Sequence, residues 1–163
     1  MTLINNVVKD LNTHRLIFST LWSAISSLND WRIERSLNDF YQIRYNSKRF
    51  QIPDYNDFHT NSVAFLRDAL EADKTGKKVV ATHHVPIFKN CSPEYKGGYL
   101  NEAFVTILDD LIFDTTLDFC IYGHHHQNTS EFKIGHTKLL TNQLGYVQNN
   151  EHQHYRTDKN IEI

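Results

Sequence analysis

The sequence predicts a mixed α/β fold, and three observations carry that expectation. Residues 78–82 (KVVAT) and 117–122 (LDFCIY) are short β-branched or apolar runs with the length and composition of buried strands. Between them Phe104, Ile107, Leu108, Leu111 and Ile112 recur at i, i+3, i+4, i+7 and i+8, the stripe of a helix packed on a sheet. Both runs then open into histidines, His83-His84 and His124-His125-His126. In open α/β sheets, ligands gather outside the carboxyl ends of the strands.

Taken in order, residues 15–21 (RLIFSTL) read as an early strand leading to Trp22. Residues 23–38 are ambiguous, because Ala24, Ile25, Leu28 and Trp31 fit a helical stripe that serines and asparagines interrupt. Residues 40–45 (FYQIRY) alternate as a strand, and the polar stretch 46–56 around Pro53 reads as a loop. A helix follows with Val63, Leu66 and Leu70 on one face, Asp57 or Thr60 as its cap, and Gly76 just past its end. It delivers the chain to KVVAT. Residues 84–98 (HVPIFKNCSPEYKGG) form a loop suited to shaping a mouth, in which Lys89 and Lys96 are candidates to meet an anionic substrate, with a solvated surface position the simpler expectation.

The second helix is expected over 101–113, so that residues 78–122 make a right-handed βαβ unit. After the histidines, 131–134 and 137–142 flank Gly135-His136 as a hairpin, which leaves His136 exposed. The tail from 148 to 159 is polar, and its His152 and His154 also stand at i, i+2.

A chain of 163 residues is expected to be a single domain, 1–163, long enough to bury a core. Its 40% hydrophobic and 22% charged residues are ordinary for a soluble globular protein, and a net charge of −2 with scattered Lys and Arg gives no reason to expect nucleic acid as a partner. No run approaches the ~18 apolar residues of a membrane span, and the segment MTLINNVVKDLN has no apolar targeting core, so no membrane partner is expected. Cys91 falls in a loop and Cys120 inside a strand, far apart in sequence. A reduced, cytoplasmic chain is the expectation.

The histidines carry the chemistry. In extended backbone, residues i and i+2 project to the same side, so His124 and His126 are expected to converge while His125 points away, with Gly123 allowing a sharp turn. Neutral imidazoles placed together suit Zn, Mn-type and Fe-type divalent ions. A polar loop that is merely rich in histidine is the competing reading for YGHHHQNT alone. Two clusters at matching strand ends weigh against it.

THHVP, YGHHHQNT and TNQLGY, in that order and spacing, resemble the C-terminal half of the calcineurin-like metallophosphoesterases, whose late motifs are a strand-end His and then G-H-x-H. Leu21-Trp22-Ser23, Asn38-Asp39-Phe40, Ala103-Phe104, Asn142 with Gly145-Tyr146, and Ile161-Glu162-Ile163 extend the resemblance over nearly the whole chain. It implies half of a two-sheet sandwich flanked by helices. It also implies hydrolysis of a phosphate ester by a metal-activated hydroxide, with two divalent ions in the family. His83 matches the strand-end ligand, with His84 as its alternative; His124 and His126 match G-H-x-H, and His125 takes the non-ligating position. The residue pair Gln143-Leu144 departs from the Pro-Arg of the family's loop.

Bridging two dications calls for carboxylates, which the family draws from D-x-H, G-D-x-x-D and G-N-H-D/E. None of the six glycines here, Gly76, Gly97, Gly98, Gly123, Gly135 and Gly145, is followed by Asp or Asn. Asp57-Phe58-His59 matches D-x-H but reads as a helix cap. The chain is therefore expected to hold at most one ion, through His83, His124 and His126, and to be a poor catalyst alone. Its expected partners are a phosphate-ester substrate and either a separate N-terminal half or a second copy of itself. A non-catalytic binding or regulatory remnant of the fold is the alternative, and a small histidine-rich metal-binding protein is a third reading.

Overall fold

The structure, a computed structural model, describes residues 4–72, 76–90 and 97–163. Cys91 and Lys96 lie outside the described residues, and with them any statement on a Cys91–Cys120 pairing. The strands are β1 (Val7–Leu11), β2 (His14–Ser19), β3 (Arg44–Tyr45), β4 (Lys48–Arg49), β5 (Lys77–Thr82), β6 (Phe119–Ile121), β7 (Phe132–Ile134) and β8 (Thr137–Leu140). The α-helices are α1 (Asp30–Ser36), α2 (Asp39–Gln42), α3 (Ile52–Glu71) and α4 (Asp109–Asp114).

Six strands form one sheet in the order β1-β2-β5-β6-β8-β7, while β3 and β4 make a separate hairpin. The four inner strands run parallel, and β1 and β7 pair antiparallel at the edges. A mixed α/β architecture is thus what the chain adopts. The parallel core puts the carboxyl ends of β2, β5, β6 and β8 at one end of the sheet, where the connections carry the histidines.

Register separates two faces. Val8, Ile17, Val80, Cys120, Leu139 and Phe132 stand side by side across the sheet and pack with Leu66, Ala69 and Leu70 of α3 and Leu111 and Ile112 of α4. Lys78, on the same face of β5, is buried and donates from Nζ to the carbonyl of Leu70 at 2.7 Å, closing the C-terminus of α3. The opposite face carries Leu16, Val79 and Phe119 in one row and Val7, Phe18, Ala81, Ile121 and Leu140 in the next. None of these belongs to either hydrophobic cluster. Leu16, Phe18, Phe119 and Ile121 are only half-buried.

A second core lies beside the strand ends. Ile25, Ile33, Phe40, Phe50, Tyr55 and Ala103 are buried there with Trp22 against them. Trp22 meets Tyr55 edge-on at 4.9 Å, and Phe40 stacks on Phe50 at 5.7 Å.

Three expectations are corrected by local physics. Residues 40–45 are not one strand: α2 occupies Asp39–Gln42, because Phe40 is drawn wholly into the second core while Tyr41 stays exposed, leaving only Arg44–Tyr45 to pair with β4. The stretch 46–56 is not all loop, since α3 starts at Ile52 with Pro53 in its first turn, where a missing N–H costs nothing, and with a reciprocal cap between Gln51 and Asp54. Asp57 and Thr60 are interior to that helix. The helix expected over 101–113 is two pieces, a 3₁₀ helix at Tyr99–Ala103 and α4. Between them Val105 bridges Val85, and the consecutive β-branched Val105, Thr106 and Ile107 favour that extended link. The hairpin of β7 and β8 turns at Gly135, and His136 is exposed.

Candidate functional site

His83 and His84 follow β5 directly. His84 is 3% exposed; its N–H donates to the Thr20 carbonyl at 3.0 Å, and its Nδ1 lies 3.2 Å from the Ser23 hydroxyl. Ser23 in turn meets the Tyr55 hydroxyl at 3.1 Å, and Tyr55 donates to the Ala103 carbonyl at 2.6 Å. This buried chain runs from α3 through the end of β2 and fixes the His84 ring against Trp22, 5.6 Å away.

After β6 the backbone does not stay extended. The His125 N–H donates to the Gly123 carbonyl at 3.0 Å, and His124 between them has φ 75°, a γ-turn of the strained kind. His126 is also left-handed at φ 54°, whereas Gly123 is not. The histidines, and not the glycine, make the turn. Leu21, fully buried just past β2, has φ 54° as well. Bulky residues held there cost free energy that surrounding contacts must offset, and such strain clusters at functional sites.

The turn sends the rings of His124 and His126 to different walls of one pocket of about 550 Å³, which His125, Asn101, Phe104, Tyr146 and Glu151 also line. His124 stacks on His84 at 4.4 Å between centroids and 8° between planes, and its Nδ1 stands 2.9 Å from His83 Nε2. Phe104 closes its edge at 4.8 Å. The Nε2 of His124 is buried with no hydrogen-bond partner. His126 faces Tyr146 edge-on at 4.6 Å, and its Nδ1 is 3.1 Å from Glu151 Oε2. The His125 ring does not stand apart: its Nδ1 meets Gln143 Nε2 at 3.0 Å.

Burial, and then repulsion from His83, His126 and His125, pushes the His124 imidazole down to about 3. Burial first and the neighbouring histidines second hold His84 well below the usual range, and burial with His126 lowers His83, opposed by the carboxylate of Asp39. All three are therefore neutral at pH 7, the protonation state of a ligand. Burial raises Asp39, and His83 draws it back. Glu151 is held below the carboxylate range, chiefly by the Tyr146 N–H.

Two imidazole nitrogens bound side by side to one ion at ~2.1 Å stand roughly 3.0–3.4 Å apart. His124 Nδ1 and His83 Nε2, at 2.9 Å, are slightly closer than that and within hydrogen-bond distance, while His124 Nε2 is buried without a partner. Among the described residues, however, no group of three or more His, Cys, Asp or Glu side chains is arranged to hold an ion. His83 and His124 are thus in contact, while His126 stands across the pocket and is engaged by Glu151.

Ser23, Phe104 and Tyr146 each contact one of these histidines, Asp39 acts on His83 through its charge, and each belongs to a stretch whose sequence carried the family resemblance. Glu151 carried no such signal, and Gln143 stands where the TNQLGY stretch departs from the family's loop. Asn142 instead exchanges hydrogen bonds with the backbone of Arg156. Lys89 sits over the Phe132 ring, away from the pocket. His59 lies behind Trp22, with Nδ1 2.7 Å from its carbonyl oxygen, and Asp57 is exposed on α3. His152 and His154 belong to a 3₁₀ turn, Glu151–His154.

No family model matches the chain, and no solved structure matches it. It is 32% identical over 155 residues to an uncharacterized protein of Acanthamoeba polyphaga mimivirus, an alignment that covers 88% of this chain and 54% of that protein. The chain thus spans about half the length of the curated relative it matches.

Proposed function

We propose that the chain is the histidine-bearing half of a metal-dependent phosphoesterase, binding one divalent ion of the Zn, Mn or Fe type at His83 and His124. The observation that carries this reading is the 2.9 Å approach of two neutral imidazoles, from separate strand ends, at a pocket that Asn101, Phe104, His126, Tyr146 and Glu151 also line. A bound ion supplies Lewis acidity there, lowering the pKa of water and drawing charge off a phosphoryl group. The chain's own residues do the rest: the Ser23–Tyr55 chain holds His84, whose flat face fixes the His124 ring, and Phe104 keeps solvent from its edge. Asn101 and Tyr146 line the pocket where phosphoryl oxygens would be received.

The reading includes a partner. Among the described residues, carboxylates that would complete a two-ion centre are not gathered at the histidines, and the mimiviral relative is roughly twice as long as the matched segment. The half-buried sheet face of Phe18, Phe119 and Ile121 is the surface on which a second layer would pack, whether from a separate N-terminal half or from another copy. No helix among the described residues is long and apolar enough to cross a membrane, and a cytoplasmic setting is part of this proposal.

The missing carboxylates favour a second reading, a metal-binding or regulatory remnant without turnover. Metal analysis beside a phosphodiesterase and phosphomonoesterase assay with Mn or Zn separates the two. Bound metal lost in His83→Ala and His124→Ala, with turnover appearing only when a complementary half is added, supports the phosphoesterase. Metal without turnover under every combination leaves the remnant. Wild-type metal content in the double variant removes both.

A further inference from the structure

We infer that Glu151 is the positioning residue of His126, fixing its tautomer so that Nε2 is the nitrogen presented to the pocket; this rests on the proposed ion site, to which it adds His126 as a third ligand beside His83 and His124. Glu151 Oε2 accepts from the Tyr146 N–H at 2.5 Å and stands 3.1 Å from His126 Nδ1, while Oε1 takes the Asn149 amide at 3.3 Å. A carboxylate oxygen only accepts, so a neutral His126 must carry its proton on Nδ1. Its lone pair is then on Nε2.

The rest of the segment is shaped around this contact. Gly145 has φ 63°, and a Cβ there would fall 2.5 Å from the Glu151 Cβ and 3.1 Å from the His126 carbonyl oxygen. Only glycine lets residue 151 come this close. Tyr146 braces the imidazole edge-on, and the Gln143 side chain accepts from the His126 N–H at 2.9 Å while its amide donates to the Gln127 carbonyl at 2.9 Å. The ring is thus held at backbone, face and Nδ1. A ligating histidine oriented through its second nitrogen by a carboxylate is a recurrent device of metal sites, and loss of the carboxylate costs about 10–100-fold in metal affinity.

The test reads the proton directly, without metal. Two-bond ¹H–¹⁵N correlation spectra of the full chain, at mildly alkaline pH, are expected to show His126 protonated at Nδ1. Glu151→Ala should move the proton to Nε2, whereas Glu151→Gln, whose carbonyl still accepts, should keep it at Nδ1 and serves as the folded control. Zinc titration should then weaken about 10–100-fold in Glu151→Ala and by several-fold at most in Glu151→Gln. A wild type protonated at Nε2 or at both nitrogens, or a Glu151→Ala spectrum with the proton unmoved, overturns the assignment. If the proton moves as stated but the wild type takes up no zinc, the positioning role stands and the metal reading falls.

Discussion

Burial and mutual repulsion keep the imidazoles of His84 and His124 neutral, and this ties folding to pH. In the unfolded chain both titrate near the ordinary histidine value, ~6.5, while in the fold His124 does so only at about 3. As pH falls below that ordinary value the unfolded state takes up protons that the folded state refuses, so stability is complete above it and is lost progressively toward pH 3. At pH 5 the His124 contribution alone is a loss of roughly 2 kcal/mol. Asp39, raised by burial, acts in the opposite sense. Urea unfolding at pH 7 and pH 5 checks this, with a lower midpoint expected at pH 5; an equal or higher one would mean that these rings are solvated.

Elements deliver those residues, and α3 does so through its first turn. Asp54 accepts from the Gln51 N–H at 3.0 Å, which sets the start of the helix at Ile52, three residues before Tyr55, the hydroxyl that anchors Ser23 and so His84. Asp54→Ala should cost about 1 kcal/mol, a fall of about 2–4 °C in Tm for a chain of this size. A thermal melt unchanged within error would show that the cap does not define the helix start. The same turn explains what the sequence hid. Pro53 reads as a breaker unless it is placed at a helix start, and Gln51 is an uncommon cap. The apolar stripe from Phe104 to Ile112 was legible as periodicity, yet Val105 and Thr106 are spent on pairing with the Val85 segment, and Ile107 is 70% exposed. The strands were the more readable elements because β5 and β6 are inner strands that carry apolar residues on both faces, and so read as continuous apolar runs. Convergence of histidines at their ends followed from that. What extended-strand geometry missed is the γ-turn at His124, a tertiary strain with no composition signal.

At the scale of the molecule, the sheet has one face sealed by α3 and α4 and another whose apolar rows remain half-buried. Such a surface promotes association. Sedimentation is expected to show a dimer or larger species, and Phe18→Glu or Ile121→Lys should dissociate it while leaving metal content unchanged. A clean monomer that binds no hydrophobic dye would mean that this face needs no second layer. The histidine pocket opens at the strand ends and not on that face, so assembly and ion binding are separable in these variants.

Whether His83 and His124 share one ion is tested by anomalous diffraction from crystals grown with Zn or Mn. The expected result is one anomalous peak about 2.0–2.3 Å from His83 Nε2 and from a His124 nitrogen, with His126 on its far side. A peak confined to His152 and His154, or none in the pocket at saturating metal, would contradict it.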